Sequence, residues 1–178
     1  MKKTLMVASV LLLAASFSQA QIGPPATSTL SVTVGAEASI TAQAGPLTST
    51  GTFGNYTGTT LLNYKVRTIA GGHITVLITT DFSPGGTGGG PSVAHPPTSG
   101  DALTYSCSAS NPVTGSATPC SSTQTASTTT DTPVVDFAAT TQSASAGTAA
   151  STSWTLTNDP SYAAGTYNAV ATFTISAT

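Results

Sequence analysis

From Ala26 to Thr41 the chain reads ATSTLSVTVGAEASIT and holds one parity for sixteen residues. Apart from Ser28, the even positions are apolar: Ala26, Leu30, Val32, Val34, Ala36, Ala38 and Ile40. The odd positions are polar, charged or glycine. A period of two predicts an extended strand with one buried face. At ~3.3 Å per residue this run would reach about 53 Å, well past the usual strand of five or six residues. Two readings compete. In one, a single first strand bends at Gly35 as it crosses between sheets. In the other, Ala36 to Ala42 begins a domain and Gln21 to Val34 is an arm that does not fold back.

Further strands are predicted at Gly51 to Tyr56, which carries Phe53, and at Leu61 to Ile69, with Tyr64 and Val66 in alternate slots. HITVLITT, His73 to Thr80, is apolar on both faces, as a central strand would be. Leu103 to Ser108, Val134 to Ala138 and Trp154 to Leu156 are shorter candidates. TYNAVATFTIS, Thr166 to Ser176, alternates again with Tyr167, Ala169, Ala171, Phe173 and Ile175 on one face. No segment beyond the first twenty residues keeps a helical period. Short strands separated by Gly, Pro and Asn turns predict an all-β sandwich. Two long connections interrupt it, Asp81 to Asp101 and the Ser/Thr-rich Ser121 to Thr132. The glycine run in the first has no neighbouring Lys or Arg and no following helix. It therefore reads as a flexible surface excursion and not a phosphate loop.

The first twenty residues change the compartment. MKK, an apolar core and Ser18-Gln19-Ala20 have the order of a cleaved secretory signal. The competing reading, a membrane anchor, suffers from the short apolar run and the absence of a basic stop-transfer cluster. The expected organisation is a signal over 1–20, an arm over 21–35 and a β-sandwich over 36–178, with no membrane span after cleavage. Past the signal, Lys65 and Arg67 are the only basic side chains against six acidic ones, a formal charge of −4. Such a chain has no electrostatic footprint for nucleic acid or an anionic membrane. Its polar surface is mostly Thr and Ser, and Thr suits the outer face of a sheet.

In an exported chain the two cysteines, Cys107 and Cys120, are expected to pair as a structural disulfide contributing about 3 kcal/mol. A redox or metal pair is disfavoured, because there is no CxxC spacing and neither histidine lies near them. Catalytic chemistry is missing too. There is no GxSxG or HExxH, the carboxylates are scattered, and His73 and His95 are isolated. No catalytic residue, cofactor or metal is expected. Asn55-Tyr56-Thr57 is a sequon of the glycosylation-acceptor type, a tripeptide that also arises by chance. Lys65 is a candidate for an intramolecular isopeptide bond, though a lone strand lysine ordinarily points to solvent.

The two ends of the chain complement one another. An arm with Leu30, Val32 and Val34 on one side can enter another molecule's sheet as an added strand. At the other end, a long terminal strand with an apolar face leaves an open edge that needs covering. Repeated head to tail, that contact does not close and builds a fibre. The order of features resembles secreted pilins of the spore coat U type, assembled by chaperone–usher systems. It is carried by TLSVTVGAEASITA after the signal, FGNY at Phe53 to Tyr56, LTY at Leu103 to Tyr105 and the terminal AGTYNAVATFTISAT. The resemblance covers most of the exported chain in outline, each motif being short. It implies an incomplete immunoglobulin-like sandwich completed by the N-terminal strand of a neighbouring copy. Leu30, Val32 and Val34 would then be the donor side chains, and Tyr167, Phe173 and Ile175 would line the acceptor groove. It further implies passage through the periplasm, a periplasmic chaperone and an outer-membrane usher, and an extracellular fibre or cell-surface location. The chain departs from that pattern: it lacks a cysteine in the first strand, its disulfide lies in the second half, and it ends in SAT and not in an aromatic residue.

The competitor from another class is a secreted carbohydrate-binding module, with Trp154, Tyr162 and Tyr167 as a sugar-stacking platform. Surface glycans are candidate partners on either reading.

Overall fold

A computed structural model describes residues 28–83 and 89–178. The expected signal over 1–20 and the arm residues 21–27 lie outside the described residues. All regular structure among the described residues is β: β1 (Glu37–Ala44), β2 (Thr48–Ser49), β3 (Tyr56–Arg67), β4 (Gly72–Ser83), β5 (Leu103–Ala109), β6 (Ala117–Pro119), β7 (Gln124–Thr125), β8 (Thr132–Phe137), β9 (Thr148–Leu156) and β10 (Asn168–Ala177). They form two antiparallel sheets. One has the order β1-β3-β9-β5-β7, with β2 also on β3, and the other has the order β10-β4-β8-β6. The fold is a β-sandwich.

Alternation fixes the inner faces. On β3, Thr60, Leu62, Tyr64 and Val66 are buried while the residues between them are exposed. Ile74, Val76 and Ile78 are buried on β4, and Leu103 and Tyr105 on β5, with half-buried residues between them. β4 is a central strand, between β10 and β8, and its outward Leu77 is half-buried. Aromatic contacts bind the layers. Tyr64 meets Phe137 across the sheets at 5.1 Å between centroids, and within one sheet Tyr105 on β5 meets its strand partner Trp154 on β9 at 4.9 Å. The buried polar tips have partners: the Tyr105 hydroxyl donates to the Pro133 carbonyl at 2.9 Å, and Trp154 Nε1–H donates to Thr60 Oγ1 at 3.0 Å. Burial pushes the Tyr64 and Tyr105 phenols up from their ordinary range.

Several expectations are adjusted. The long N-terminal run is not one strand: residues 28–36 have no regular structure, and β1 begins at Glu37. Of the expected strand Gly51 to Tyr56, only Tyr56 is in one, opening β3; Gly51 to Asn55 is a turn. It is closed by Gly54 N–H to Gly51 O at 3.0 Å, with Phe53 in the left-handed region at φ 54°. β9 runs six residues further upstream than Trp154, because its inward positions there are Thr148, Ala150 and Thr152, small residues that carry little hydrophobic signal. The Asp81 to Asp101 connection is not simply a surface excursion. Residues 90–92 are buried, and the Asp81 carboxylate gathers the loop, accepting from Ser92 Oγ (2.7 Å), Val93 N (2.8 Å) and Ala94 N (3.0 Å).

The two long seams of the sandwich differ. Cys107 on β5 bonds Cys120, which directly follows β6, with Cα atoms 5.4 Å apart. This joins one sheet covalently to the other. The opposite seam, between β1 and β10, has no such staple.

Candidate functional site

Along that unstapled seam lies a groove of about 1030 Å³, at the upper end of small-ligand cavities. Ala42 and Ala44 of β1 form one wall, and Ala169, Ala171 and Phe173 of β10 form the other. Ile78, Leu103, Trp154 and Leu156 lie beneath. The walls carry small side chains, so the space between the sheets is left unfilled. The burial pattern says the same. The inward residues of β10, Ala169, Ala171, Phe173 and Ile175, are only half-buried, whereas those of adjacent β4 are fully buried. On β1 every residue except the half-buried Ile40 is exposed. Both strands are edge strands, bonded on one side only: β1 to β3 and β10 to β4.

Aromatic residues surround one end of the groove. Phe53 is 68% exposed and held at positive φ, an unusual state for a bulky residue. Tyr56, Tyr162 and Tyr167 also line it. The Tyr167 hydroxyl donates to Ala163 O at 2.8 Å, and its ring packs flat enough on Gly90 that a Cβ there would collide with it. Beside Tyr162 sit Asp159 and Asp101. Burial and the two carboxylates push the Tyr162 phenol up to about 12. The hydroxyl of Thr98, the amide and hydroxyl of Ser161 and the neighbouring Asp101 outweigh burial and hold Asp159 at about 2. Burial and the facing Asp159 raise Asp101.

The residues singled out in the sequence fall in different places. Tyr167 and Phe173 line the groove, while Ile175 lies further along β10, opposite Ile74, and is not part of the lining. Leu30, Val32 and Val34 are 95%, 87% and 51% exposed. Asn55 is exposed, and its side-chain oxygen accepts from Asn158 N–H at 3.2 Å. Lys65 is exposed on β3 opposite Ser39. His73 and His95 are exposed, and no group of three or more His, Cys, Asp or Glu residues that could hold a metal occurs among the described residues. Of the supposed sugar platform, Trp154 is buried and edge-on to Phe173 at 6.5 Å.

Two parts of the site were missed in the sequence. The β1 wall was readable, because Ala42 and Ala44 continue the even parity of the opening run. The Asp101–Asp159 pair was not, since only the pairing of β5 with β9 brings those loops together. No known protein family, no curated protein and no solved structure matches this chain.

Proposed function

We propose that this chain is the structural subunit of an extracellular bacterial fibre, and that it polymerises by inserting its N-terminal segment into the groove of the next copy. The observation that carries the reading is the half-buried inner face of β10 beside an open, alanine-walled groove. A strand laid there would hydrogen-bond the free edge of β10 and drop alternate side chains between the sheets. The donor is Leu30, Val32 and Val34, whose parity matches one face of a strand and whose side chains are exposed. On this reading the sandwich is an incomplete immunoglobulin-like domain, and the assembly partners are a periplasmic chaperone and an outer-membrane usher or equivalent accessory proteins. The subunit is exported, the mature product lies outside the cell, and its role is structural, not enzymatic.

Exposed Phe53 with Tyr56, Tyr162 and Tyr167 supports a second reading, a module that takes a glycan in the same groove. The buried Trp154 weakens it, because no indole face is free for stacking. One experiment separates them. The exported chain, with and without residues 21–34, is examined by negative-stain electron microscopy and by unheated gel electrophoresis. Fibres or a ladder that vanish on truncation support strand insertion. Two equally stable monomers refute it and leave saturable glycan binding as the function to assay.

A further inference from the structure

We propose that consecutive copies also meet end to end, with Phe53 of the accepting copy packed on Ile69 and Val113 of the donating copy. The contact rests on the strand-insertion reading and adds to it the surfaces that insertion brings together. Chain length requires such a contact. Only Gly35 and Ala36 lie between Val34, the last donor side chain, and Glu37, the first residue of β1. Three steps of chain reach about 11 Å at most. A copy whose Val34 is seated in a groove is therefore held with the start of its β1 against the neighbour.

The groove decides which end of the neighbour that is. Its lining runs from Asn168 to Phe173 on β10 and includes Ala42 and Ala44 but no earlier residue of β1. It continues to Phe53, Tyr56 and Tyr162, so it opens at the end of the sandwich where β3 begins. The start of β1 lies at the other end, because Glu37 is paired with Arg67. Eleven steps of β3 separate Tyr56 from Arg67, roughly 36 Å at ~3.3 Å each. A seated arm thus leaves through the mouth beside Phe53. It runs antiparallel to β10, the direction with slightly the more stable pairing.

Both ends carry what a buried contact would use. Besides the arm, five large apolar side chains are exposed among the described residues, and three of them stand at these ends. Phe53 is at the mouth, while Ile69 and Val113, 69% and 73% exposed, are at the arm-root end. Ile69 lies in the turn between β3 and β4, and Val113 in the loop between β5 and β6. The loop between β8 and β9 joins them into one surface, through Thr140 N–H to Ile69 O at 3.3 Å and Gln142 N–H to Thr114 O at 2.9 Å. The Phe53 turn is held as firmly, by Thr50 N–H to Asn55 O at 3.1 Å and Ser49 Oγ to Gly51 O at 2.6 Å. Phe53 and Thr140 are the two non-glycine residues with positive φ among the described residues, 54° and 61°, one at each end. Strain of that kind persists only where the surroundings enforce it, and it gathers at functional surfaces.

Charge excludes the symmetric alternative. Lys65 and Arg67, the only Lys and Arg beyond the signal, lie at the arm-root end with Glu37 and Asp136. The mouth end carries Asp81, Asp101 and Asp159 with no Lys or Arg. Two mouths would repel each other, and a mouth against an arm root would not.

The test uses the full exported chain with Phe53→Cys paired in the same molecule with either Ile69→Cys or Val113→Cys. The two sites are at opposite ends, so they can be joined only between copies. The expected result is an oxidised ladder that survives boiling in detergent and collapses under reductant, with each single variant giving dimers at most. Phe53→Asn removes the ring where asparagine tolerates positive φ, so its melting temperature should match or exceed wild type. Its critical concentration for polymer should rise about tenfold, the scale of one interface aromatic lost. Polymers that need the arm but give no ladder with either pairing overturn the end contact and leave strand insertion standing. An unchanged critical concentration in Phe53→Asn overturns it too, as do dimers from Phe53→Cys alone that match the polymer in abundance. A wild-type chain that never polymerises overturns both readings.

Discussion

Strand insertion makes a directional prediction that can be worked through from exposure. Leu30 and Val32 are almost fully exposed, so each gains about 1.5–3 kcal/mol on burial in a neighbour's groove, about 3–6 kcal/mol together. Val34 gains less, being half-exposed already. At about 1.4 kcal/mol per tenfold, replacing Leu30 and Val32 by Asp removes two to four powers of ten from the junction equilibrium. Placing carboxylates between apolar walls lowers it further. The subunit's own stability should shift by no more than about 0.5 kcal/mol, since neither side chain is buried in it. A complementary change, Ala171→Trp, fills the groove from the β10 wall while leaving the arm intact. The Leu30→Asp/Val32→Asp subunit then accepts an arm but donates none, and the Ala171→Trp subunit donates but does not accept. Each alone stays monomeric. An equimolar mixture gives dimers and nothing longer, read by unheated gel electrophoresis and by light scattering. Wild-type fibre lengths from the Asp variant, with unchanged thermal stability, would falsify the arm as donor. Long polymers from the mixture would refute the groove as the only acceptor.

Other expectations concern the scaffold. Thr152 is fully buried on β9 and its hydroxyl has no partner, so Thr152→Val should stabilise by about 1 kcal/mol in chemical denaturation, and a loss of stability would show an overlooked bond. Trp154→Phe removes the donor to Thr60 and leaves that buried hydroxyl unsatisfied, with an expected cost of about 1–3 kcal/mol. Replacing Cys107 and Cys120 by Ser opens a crosslink spanning thirteen positions and should cost about 3 kcal/mol, with the intact chain showing the same drop under reductant. Asp81 gives a pH effect. Partial burial raises its carboxyl, but the Ser92 hydroxyl and the Val93, Ala94 and Phe82 amides outweigh this and hold it below the ordinary range. A depressed carboxyl contributes stability above its unfolded value near ~3.9 and loses it as pH falls through the folded value. Acid melts should therefore show a decline below about pH 4 that is shallower in Asp81→Asn.

How much of this was readable in the sequence depends on side-chain size. β3, β4, β5 and β10 carry Leu, Ile, Val, Tyr or Phe on their inner faces, and their alternation is plain without a structure. The upstream half of β9 is equally buried but uses Thr148, Ala150 and Thr152, so its period is invisible to a hydrophobicity reading. At Gly51 to Tyr56 the error ran the other way. A lone Phe53 suggested a strand, yet the glycines at 51 and 54 close a turn and expose the ring. The disulfide followed from compartment and count alone. The β10 side of the groove, with Tyr167 and Phe173, followed from the terminal alternation; its opposite wall did not, because it arises from β1 and β10 lying on the same side of two different sheets, a relation between residues more than a hundred positions apart.

The edges of the two sheets bear on what covers the groove. An unpaired edge invites another strand, and proteins blunt such edges with short strands, proline or charge. The stapled seam is blunted in this way: β7 has two residues, and β6 has three, one of them Pro119. β10 has ten residues, NAVATFTISA, without proline or charge, and its outward Val170 is half-exposed. β1, facing it across the groove, has eight residues and one charge, Glu37, placed at the end away from the alanine walls. A solitary secreted domain with those edges would carry a standing aggregation hazard on one side only. The same asymmetry is what a subunit needs if that side is to be filled by one defined strand from a neighbour. Blunting β10 therefore offers a test independent of the arm. Thr174→Lys places a charge on the exposed face of β10 and leaves the groove-lining side chains untouched. If the edge is an acceptor, the variant should polymerise more slowly than wild type while melting at the same temperature. If the edge is idle, polymerisation should be unchanged.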